Sequence, residues 1–389
     1  MTEVEKLLAC MPCPPEYSYD WQGLRALLPL KAWFSRMEET PQNPEWHGEG
    51  DVWTHTRMVC EALAALDEFR AMEEGPRNAL ALAALLHDVG KPCCTKLEDG
   101  KLISPRHGSA GAQIARGLLW REFGLCGTPE AQRFREAVCL LIRYHTAPLH
   151  LIEGENPSRR ALRLAANGEL AAEFTLRTLC LLSEADVRGR VAPDSQEQLE
   201  TIELCRELAR EEGCLNGPYP FLSPHTQRAF FAGANVWKNQ ELYDDTWGEV
   251  ILMCGLPGTG KDTWIHERYP ELSTVCLDDL RREMGVRPED NQGRVVQVAK
   301  ERAREFLRTK RPFIWNSTSL TSLRAQQIDL FESYHARVRI VYLETGWEEN
   351  LRRNIGRSAA VPEYVIARML DKIEPPERHE AQCVNWICL

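Results

Sequence analysis

The sequence predicts two domains of different fold class, an all-helical bundle followed by a parallel α/β domain. Between residues 52 and 212, apolar side chains recur at spacings of three and four, as at Val59, Leu63 and Leu66. This is the period of helices that bury one face. After Trp247, short apolar runs alternate with helical segments, and this alternation is typical of a parallel sheet covered by helices.

The domain boundary is predicted in residues 213–246, a stretch rich in glycine, proline and asparagine, because such residues interrupt helices and strands. We therefore expect a helical domain over residues 1–215, a linker or irregular cap over 216–246, and the α/β domain over 247–389. Strands of the second domain are predicted at residues 250–253, 274–277, 313–315 and 338–343.

The composition restricts the class of protein. A hydrophobic fraction of 43% and a charged fraction of 27% over 389 residues are ordinary for a globular protein with more than one core. The longest wholly apolar run, Ala79 to Leu86, is too short to cross a membrane. Because the N-terminus also lacks the pattern of a secretory signal, we expect a cytoplasmic protein.

The net charge and the cysteines narrow the possible partners and redox chemistry. A formal net charge of −10 argues against a large basic face for duplex DNA, although a local basic groove for strand ends remains compatible with it. The cysteines are scattered, with a lone CxxC at Cys10 and Cys13 and an adjacent pair at Cys93 and Cys94. We interpret them as buried or incidental thiols.

The sharpest motif of the helical region is HDVGK, which begins at His87 directly after a predicted apolar helix. The adjacent imidazole and carboxylate of His87 and Asp88 are ligands for a divalent metal. Lys91 adds a cation that can hold a phosphate oxygen. Gly90 is predicted to let the chain turn sharply where the helix stops.

Other candidate ligands lie in or beside different predicted helices, so a helical bundle can bring them to one interior. They are His55, His107, His145 and Asp186. A lone histidine is more often a surface residue or a hydrogen-bonded core residue than a ligand. We give that interpretation to His47, His150 and His225.

The order H…HD…H…H…D resembles the HD phosphohydrolase superfamily, and residues 45–215 are similar to the HD domains attached to bacterial tRNA nucleotidyltransferases. The resemblance implies a first metal held by His55, His87, Asp88 and Asp186. It implies a second metal held by His107 and His145, with Asp88 bridging. One or two divalent transition metals in such a site clamp a phosphate and activate water for its hydrolysis.

The second motif is a glycine-rich loop, GLPGTGK, between a predicted strand and a predicted helix. Its glycines let backbone N–H groups face a polyphosphate, the helix N-terminus adds positive potential, and the lysine reaches the β- and γ-phosphates. The predicted nucleotide-binding residues of the loop are Gly255, Gly258, Thr259, Gly260 and Lys261.

The position after the lysine is usually serine or threonine, but here it is Asp262, followed by Thr263. A carboxylate is a good oxygen ligand for Mg²⁺. Adjacent residues of a helix point about 100° apart, so Thr263 is not a simple replacement. We interpret Asp262 as a direct or water-mediated contact to Mg²⁺, with Thr263 as the alternative.

Two later motifs, LDDLR from Leu277 at the end of the second predicted strand and RRNIGR from Arg352, follow the loop. In this order the motifs resemble those of the 5′-hydroxyl polynucleotide kinases over residues 248–372. The resemblance implies that Asp278 is the general base on the acceptor 5′-OH and that Arg281 binds its neighbouring phosphate. It implies that Arg353 and Arg357 form a lid over the donor phosphates, for which their i and i+4 spacing on one helical face is suitable. A solvated basic face is the alternative.

Residues 316–320 follow the third predicted strand and are expected to line the acceptor site. The phage member of the resembling kinases has an acidic residue in the corresponding loop, whereas this segment, NSTSL, has no carboxylate. Either Asn316 takes the place of that residue or the metal coordination differs.

The two halves in this order resemble the HD-Pnk end-healing enzymes of bacteria. The resemblance implies phosphorylation of 5′-OH ends with ATP or another nucleoside triphosphate and Mg²⁺. It also implies removal of 2′,3′-cyclic or 2′/3′ phosphates from RNA or DNA ends, single-stranded ends above all, in cooperation with a ligase. One alternative is a kinase and phosphohydrolase of nucleotides or metabolites. Another is a nucleotide-switched regulatory protein with a ligand-sensing HD domain.

Overall fold

A computed structural model of the chain describes residues 1–287, 290–317, 321–357 and 360–389. The described residues form two compact units, one of Met1–Cys126 with Glu130–Tyr219 and one of Gly127–Pro129 with Pro220–Leu389. Most of the predicted linker belongs to the second unit and contains a helix, α14 (Pro224–Phe231). Across the part of the chain that the structure describes, no helix has both the length and the apolar character needed to cross a membrane.

The first unit is helical, as predicted, apart from a short antiparallel hairpin that no sequence pattern indicated. The hairpin pairs β1 (Lys96–Glu98) with β2 (Lys101–Ile103). The helices of this unit are α1 (Glu3–Ala9), α2 (Trp21–Ala26), α3 (Leu28–Glu38), α4 (Val52–Ala65), α5 (Asp67–Arg70), α6 (Glu74–Leu86), α7 (Lys91–Cys94), α8 (His107–Gly117), α9 (Pro129–Tyr144), α10 (Ala147–His150), α11 (Pro157–Ala165), α12 (Leu176–Arg188) and α13 (Ser195–Glu211).

The core of this unit forms where α4, α6 and α12 pack against one another. The last eight residues of α6, from Ala79 to Leu86, are completely buried, because this segment is apolar on every face and leaves no side for water. Helix α4 begins after Asp51, whose carboxylate accepts the backbone N–H of Thr54 and so caps the helix. The end of α6 therefore carries the HD motif into the interior.

The second unit is a parallel α/β domain, which confirms the predicted fold class. Its strands are β3 (Glu249–Cys254), β4 (Ser273–Cys276), β5 (Phe313–Asn316), β6 (Arg337–Glu344) and β7 (Cys383–Cys388), in the order β4-β5-β3-β6-β7 with every neighbouring pair parallel. The helices are α14, α15 (Lys261–Arg268), α16 (Leu277–Met284), α17 (Gly293–Arg308), α18 (Thr321–Glu332), α19 (Trp347–Ile355) and α20 (Glu363–Leu370). The first four strands were predicted and β7 was not.

The sheet brings the later motifs to one edge. Strand β3 is buried from Val250 to Cys254, and the glycine-rich loop follows it directly. Asp278 comes just after β4, and Asn316 is the last residue of β5. Since all these strands are parallel, their carboxyl ends share one edge of the sheet, which is where such folds bind ligands.

Candidate metal centre and phosphate-binding loop

Four imidazoles and a carboxylate meet in the interior of the helical unit. The Nε2 atoms of His55 and His87 are 3.4 Å apart, and those of His107 and His145 are 3.2 Å apart. Asp88 lies between the pairs, with Oδ2 at 3.3 Å from His87 Nε2 and Oδ1 at 3.5 Å from His107 Nε2. Ligand atoms about 2.1 Å from one metal lie roughly 3.0 to 3.4 Å apart, so these separations suit two neighbouring metal positions.

The sixth predicted ligand, Asp186, joins the group from α12. Its Oδ1 lies 3.0 Å from His55 Nε2 and 3.1 Å from a guanidinium nitrogen of Arg190. The structure therefore brings all six predicted ligands together.

The six ligands come from five helices or helix ends, and His87 and Asp88 share the end of α6. His55 lies within α4, His107 begins α8, His145 follows α9, and Asp186 lies within α12. Three of the imidazoles bond through Nδ1 to a main-chain oxygen three residues earlier: His87 to Ala84 at 2.8 Å, His107 to Ser104 at 2.8 Å and His145 to Ile142 at 2.7 Å. With Nδ1–H donated, Nε2 keeps its lone pair for a metal.

The electrostatics of the centre favour the protonation states that bind metals. Burial alone would raise the pKa of Asp88, but Lys91 and His87 hold this pKa well below its usual range. The Lys91 ammonium lies 2.7 Å from Asp88 Oδ2. Burial, together with His107 and His87, lowers the pKa of His145 to about 3. Metal binding requires ionised carboxylates and neutral imidazoles, and these shifts favour those forms in Asp88 and His145. Burial alone would lower the pKa of His55, but Asp186 and Glu49 raise it, so a metal at this position would have to displace a proton.

Buried oxygen atoms support the fit to a cation. Among the described residues, both carboxylate oxygens of Asp88 and Oδ1 of Asp186 are buried and receive ion-pair contacts but no hydrogen bond. Buried carboxylates need compensating positive charge, and a coordinated cation would add to the charge that Lys91 and Arg190 supply. The mixed set of imidazole nitrogens and carboxylate oxygens suits divalent transition metals, so these residues fit one or two such ions.

Gly90 has a different role from the predicted one. Its φ of −80° and ψ of −22° are accessible to any residue, so the chain does not need glycine to turn here. Instead, a Cβ at this position would lie 2.2 Å from the carbonyl oxygen of His107 and 2.6 Å from the amide nitrogen of Gly111. Gly90 therefore allows α8 to approach closely enough for His107 to reach the centre.

A cavity of about 480 Å³ lies beside the metal centre, within the size range of small-molecule sites. Its lining includes the ligands His107, His145 and Asp186 and the basic residues Lys91 and Arg190. Further lining residues are His47, Trp46, His150, Lys101, Leu102 and Leu149. The cavity thus places three basic side chains, those of Lys91, Lys101 and Arg190, and an apolar wall beside the centre.

Two glycines of the glycine-rich loop in the second unit adopt left-handed backbone conformations. Gly258 and Gly260 have φ values of 86° and 93°, which glycine adopts without strain. Lys261 Nζ donates to the carbonyl oxygens of Gly255 and Leu256, each at 2.9 Å. Burial, partly opposed by Asp262 and assisted by Arg357, lowers the pKa of Lys261 to about 8. An incoming polyphosphate would stabilise the charge of this buried ammonium.

Asp262 faces the end of the neighbouring strand. Its Oδ1 accepts a hydrogen bond from the Asn316 side-chain amide at 2.7 Å, although both Asp262 and Thr263 are exposed. This arrangement favours Asp262 over Thr263 as the polar group of the sheet edge. The rest of the segment predicted to line the acceptor site lies, at residues 318–320, outside the described residues.

Asp278 lies on a helix and not on a strand end. Strand β4 stops at Cys276 and α16 begins at Leu277, so Asp278 is in the first turn of α16, where a carboxylate is favoured. It forms an ion pair with Arg281, one turn later. The Asp278 side chain is 62% exposed, and its charge acts on the pKa of Lys261. It is thus both accessible and close to the loop.

The two predicted lid arginines are near the loop but not on one helical face. Arg353, on α19, places Nη1 at 3.4 Å from the Thr259 carbonyl oxygen and bonds through Nε to Glu349 at 2.6 Å. Helix α19 ends at Ile355, so Arg357 lies beyond it and the predicted i, i+4 helical pairing was wrong. Arg357 nevertheless lies close enough to affect the pKa of Lys261.

Comparison with known families agrees with the two halves of the structure. Residues 52–186 match the model of the HD domain family, and residues 250–376 match that of an AAA domain family, AAA_33. An HD domain and a P-loop kinase-like domain therefore lie on one chain.

Curated relatives match less than half of the chain. The multifunctional CCA protein of Ralstonia nicotianae is 28% identical over 183 residues, 47% of this chain and 39% of the relative. The corresponding protein of Hahella chejuensis is 26% identical, over 44% of this chain and 38% of the relative. The chain thus spans about two fifths of these relatives. Among solved structures, a gluconokinase from Sinorhizobium meliloti 1021 is 18% identical, with a TM-score of 0.28, over 37% of this chain and 83% of that chain.

Sequence reasoning missed Arg190, which contacts the ligand Asp186, and it also missed Glu49. The Oε1 atom of Glu49 lies 2.9 Å from His55 Nδ1 and 2.8 Å from His47 Nδ1. Glu49 belongs to no recognisable motif and precedes α4 in an irregular segment. The sole signal in the sequence is its place shortly before a histidine-bearing helix, which is too general to identify a site.

Proposed function

We propose that this chain is a bifunctional end-healing enzyme of nucleic-acid repair. Its P-loop domain would transfer the γ-phosphate of ATP or another nucleoside triphosphate to the 5′-OH of a polynucleotide. Its HD domain would remove 2′,3′-cyclic or 2′/3′ phosphates. The observation that carries the proposal is the exposed Asp278 carboxylate, paired with Arg281 at the same sheet edge as the loop lysine Lys261.

The kinase roles follow from the chemistry of phosphoryl transfer. An alcohol that attacks a γ-phosphate needs a proton acceptor and a fixed orientation, and Asp278 supplies the acceptor. Arg281, held beside it, would bind the phosphate next to the acceptor hydroxyl. Lys261, Arg353 and Arg357 would neutralise the charge on the donor phosphates. Asp262, held by Asn316, would contact the Mg²⁺ that accompanies the nucleotide.

The HD roles follow from the arrangement of cations around the cavity. Divalent metals, when bound, would polarise the phosphate and activate water for attack. The residues proposed to hold them are His55, His87, Asp88, His107, His145 and Asp186. Lys91 and Arg190, which line the cavity, would bind the phosphate oxygens of the substrate and orient it.

Nucleic-acid ends are favoured as substrates by the order of the kinase motifs and by the curated relatives of the chain. The motif order resembles that of polynucleotide kinases, and the relatives are multifunctional CCA proteins. We further propose single-stranded RNA or DNA ends as the substrates, a cytoplasmic location, and a ligase as the enzyme that joins the healed ends.

The decisive assay supplies γ-labelled ATP and Mg²⁺ with 5′-OH RNA and DNA oligomers, free nucleosides and small sugars in parallel. We expect label on the oligomers, lost in Lys261→Ala and Asp278→Asn. These variants should still release phosphate from 2′,3′-cyclic ends when Mn²⁺, Ni²⁺ or Co²⁺ is present, whereas His87→Ala should retain only the kinase activity. Labelling of nucleosides or sugars without oligomers would refute the polynucleotide proposal.

A second candidate for the HD half is the hydrolysis of free nucleotides. The cavity of about 480 Å³ has the size of a small-molecule site, which favours a compact substrate. Nucleoside 2′- and 3′-monophosphates assayed beside phosphate-ended oligomers distinguish the two. A larger kcat/KM for the mononucleotides would select the second candidate.

A further inference from the structure

The four histidines of the metal centre are not held in the same way. In His87, His107 and His145, Nδ1 bonds to a main-chain oxygen of the same helix or helix end. The partner of His55 Nδ1 is instead the carboxylate of Glu49, at 2.9 Å. A carboxylate carries a full negative charge and makes the imidazole it contacts a more basic metal ligand than a carbonyl does.

Glu49 is built into the protein and is not a mobile surface carboxylate. Its side chain is 2% exposed. The same Oε1 that contacts His55 binds His47 Nδ1 at 2.8 Å, and Oε2 accepts the backbone N–H of Val191 at 2.9 Å. A main-chain hydrogen bond from Gly48 N to Val191 O, at 3.0 Å, also holds the segment before α4 against the segment after α12.

We propose that Glu49 is a positioning residue of the HD centre, which orients His55 so that its Nε2 faces the metal position shared with His87 and Asp88. His47 helps to hold the Glu49 carboxylate in place through its hydrogen bond to Oε1. The proposal rests on the metal centre of the proposed function but not on its substrate. The proposed role affects one of the two metal positions. Among the described residues, Glu49 contacts His55 and has no contact with His107 or His145.

The alternative role for Glu49 is that of a metal ligand, together with His47 and His55. The observed bonds argue against it. Each oxygen of Glu49 already has a protein partner, since Oε1 contacts two imidazoles and Oε2 binds a backbone N–H. By contrast, Asp88 faces the Nε2 atoms of His87 and His107, on the side of the rings where the Nε2 atoms meet, whereas Glu49 contacts His55 at Nδ1.

The test uses the full-length protein, stripped of metal and titrated with Co²⁺. Visible absorption reports the geometry of each bound ion, and mass spectrometry of dialysed samples counts the ions. Glu49→Ala should weaken Co²⁺ at one position about 10- to 100-fold, the usual effect of losing an outer-shell partner, and leave the other unchanged. Glu49→Gln, which keeps the side-chain volume, should fall between Glu49→Ala and the wild type.

The matched control is Glu45→Gln, four residues earlier, because Glu45 is exposed and pairs with Lys101 at the surface. It should bind Co²⁺ as the wild type does. Urea unfolding of the metal-free proteins shows whether each variant folds. If Glu49→Ala does not fold, the Co²⁺ affinity of Glu49→Gln tests the proposal. The proposal is overturned if the Glu49 variants bind Co²⁺ like the wild type, or if they lose a third ion that the wild type binds, since Glu49 would then be a ligand. Weakened Co²⁺ binding in a protein that hydrolyses no nucleic-acid phosphate would refute the proposed substrate and leave this inference standing.

Discussion

Asp88 faces two histidine pairs at once: its Oδ2 lies 3.3 Å from His87 Nε2 and its Oδ1 lies 3.5 Å from His107 Nε2. Each of these imidazoles is paired with another from a distant part of the chain, His55 or His145. A carboxylate with one oxygen toward each pair has the geometry of a ligand shared by two metals. The metal content of single variants can therefore distinguish a ligand of both metal positions from a ligand of one.

The first prediction concerns that shared position. Asp88→Ala should remove a ligand from both metal positions, whereas His145→Ala should remove one from a single position. After dialysis against Mn²⁺ or Co²⁺, elemental analysis should find little metal in Asp88→Ala and about half the wild-type content in His145→Ala, because each lost ligand weakens its ion by more than about tenfold. His225→Ala, in the other unit, is the control. Equal metal contents in the Asp88 and His145 variants would contradict the bridging role.

The second prediction concerns Gly90. An alanine Cβ there would lie 2.2 Å from the His107 carbonyl oxygen, so α8 must move outward and carry His107 with it. We expect Gly90→Ala to lose the metal of the His107–His145 position and to cost about 1 to 3 kcal/mol of unfolding free energy, as overpacking does.

Gly75→Ala is the matched control for that variant. Gly75 lies in the first turn of α6, and nothing lies within 4 Å of its added Cβ. Alanine should therefore be neutral or stabilise the helix by up to about 1 kcal/mol. Chemical denaturation with and without Mn²⁺ measures both effects. A Gly90→Ala protein with wild-type metal content would mean that α8 has room to adjust.

The third prediction concerns a buried ion cluster away from the metal centre. Glu136, on α9, accepts hydrogen bonds from Arg116 at 2.8 to 3.0 Å and from Arg135 Nε at 2.9 Å. Burial alone would raise the pKa of Glu136, but the two arginines hold it below its usual value. A carboxyl whose pKa is lowered on folding adds stability above its unfolded pKa, about 4.3, and this stability is lost as the pH falls through the folded value.

Glu136→Gln should therefore cost about 3 kcal/mol or more at pH 7, because it removes the Glu136 charge from beside two buried guanidinium groups. The difference in unfolding free energy between variant and wild type should stay constant between pH 6 and 8 and shrink below about pH 4.3. Urea unfolding across this range measures it, with Glu130→Gln, an exposed position of the same helix, as the control. If the difference does not shrink in acid, the variant is destabilised by altered packing and not by the loss of the Glu136 charge.

Several features of the fold and the site could be predicted because they depend on local pattern. The buried apolar helix α6 is apolar all round, and a motif at its end has to lie inside the protein. The glycine-rich loop lies between β3 and α15, as its spacing indicated. Convergence of six metal ligands from different helices could be anticipated because bundle helices share one interior.

The features that were missed depend on distant partners. Strand β7 pairs with β6 through residues that no alternation marked, so its place is set by the sheet and not by its own pattern. The reason for Gly90 appears only when α8 is in place, since the clash is with His107. Glu49 reaches the centre through contacts with His55 and with Val191, which is 142 residues away in sequence, and no local signal predicts such a contact.

The last prediction separates a lid arginine from its neighbour on α19. Both Arg352 and Arg353 pair with Glu349, but only Arg353 approaches the loop, where Nη1 lies 3.4 Å from the Thr259 carbonyl oxygen. The Arg352 side chain is 74% exposed. Under the proposed kinase function, Arg353→Ala should lower kcat by about 10²- to 10³-fold, as the loss of a charge-stabilising donor does, and Arg352→Ala should change it less than about threefold. Initial rates of 5′-OH oligomer labelling at saturating ATP measure both variants. Similar decreases in kcat for the two variants would indicate that α19 presents a solvated basic face, and would contradict the lid role of Arg353.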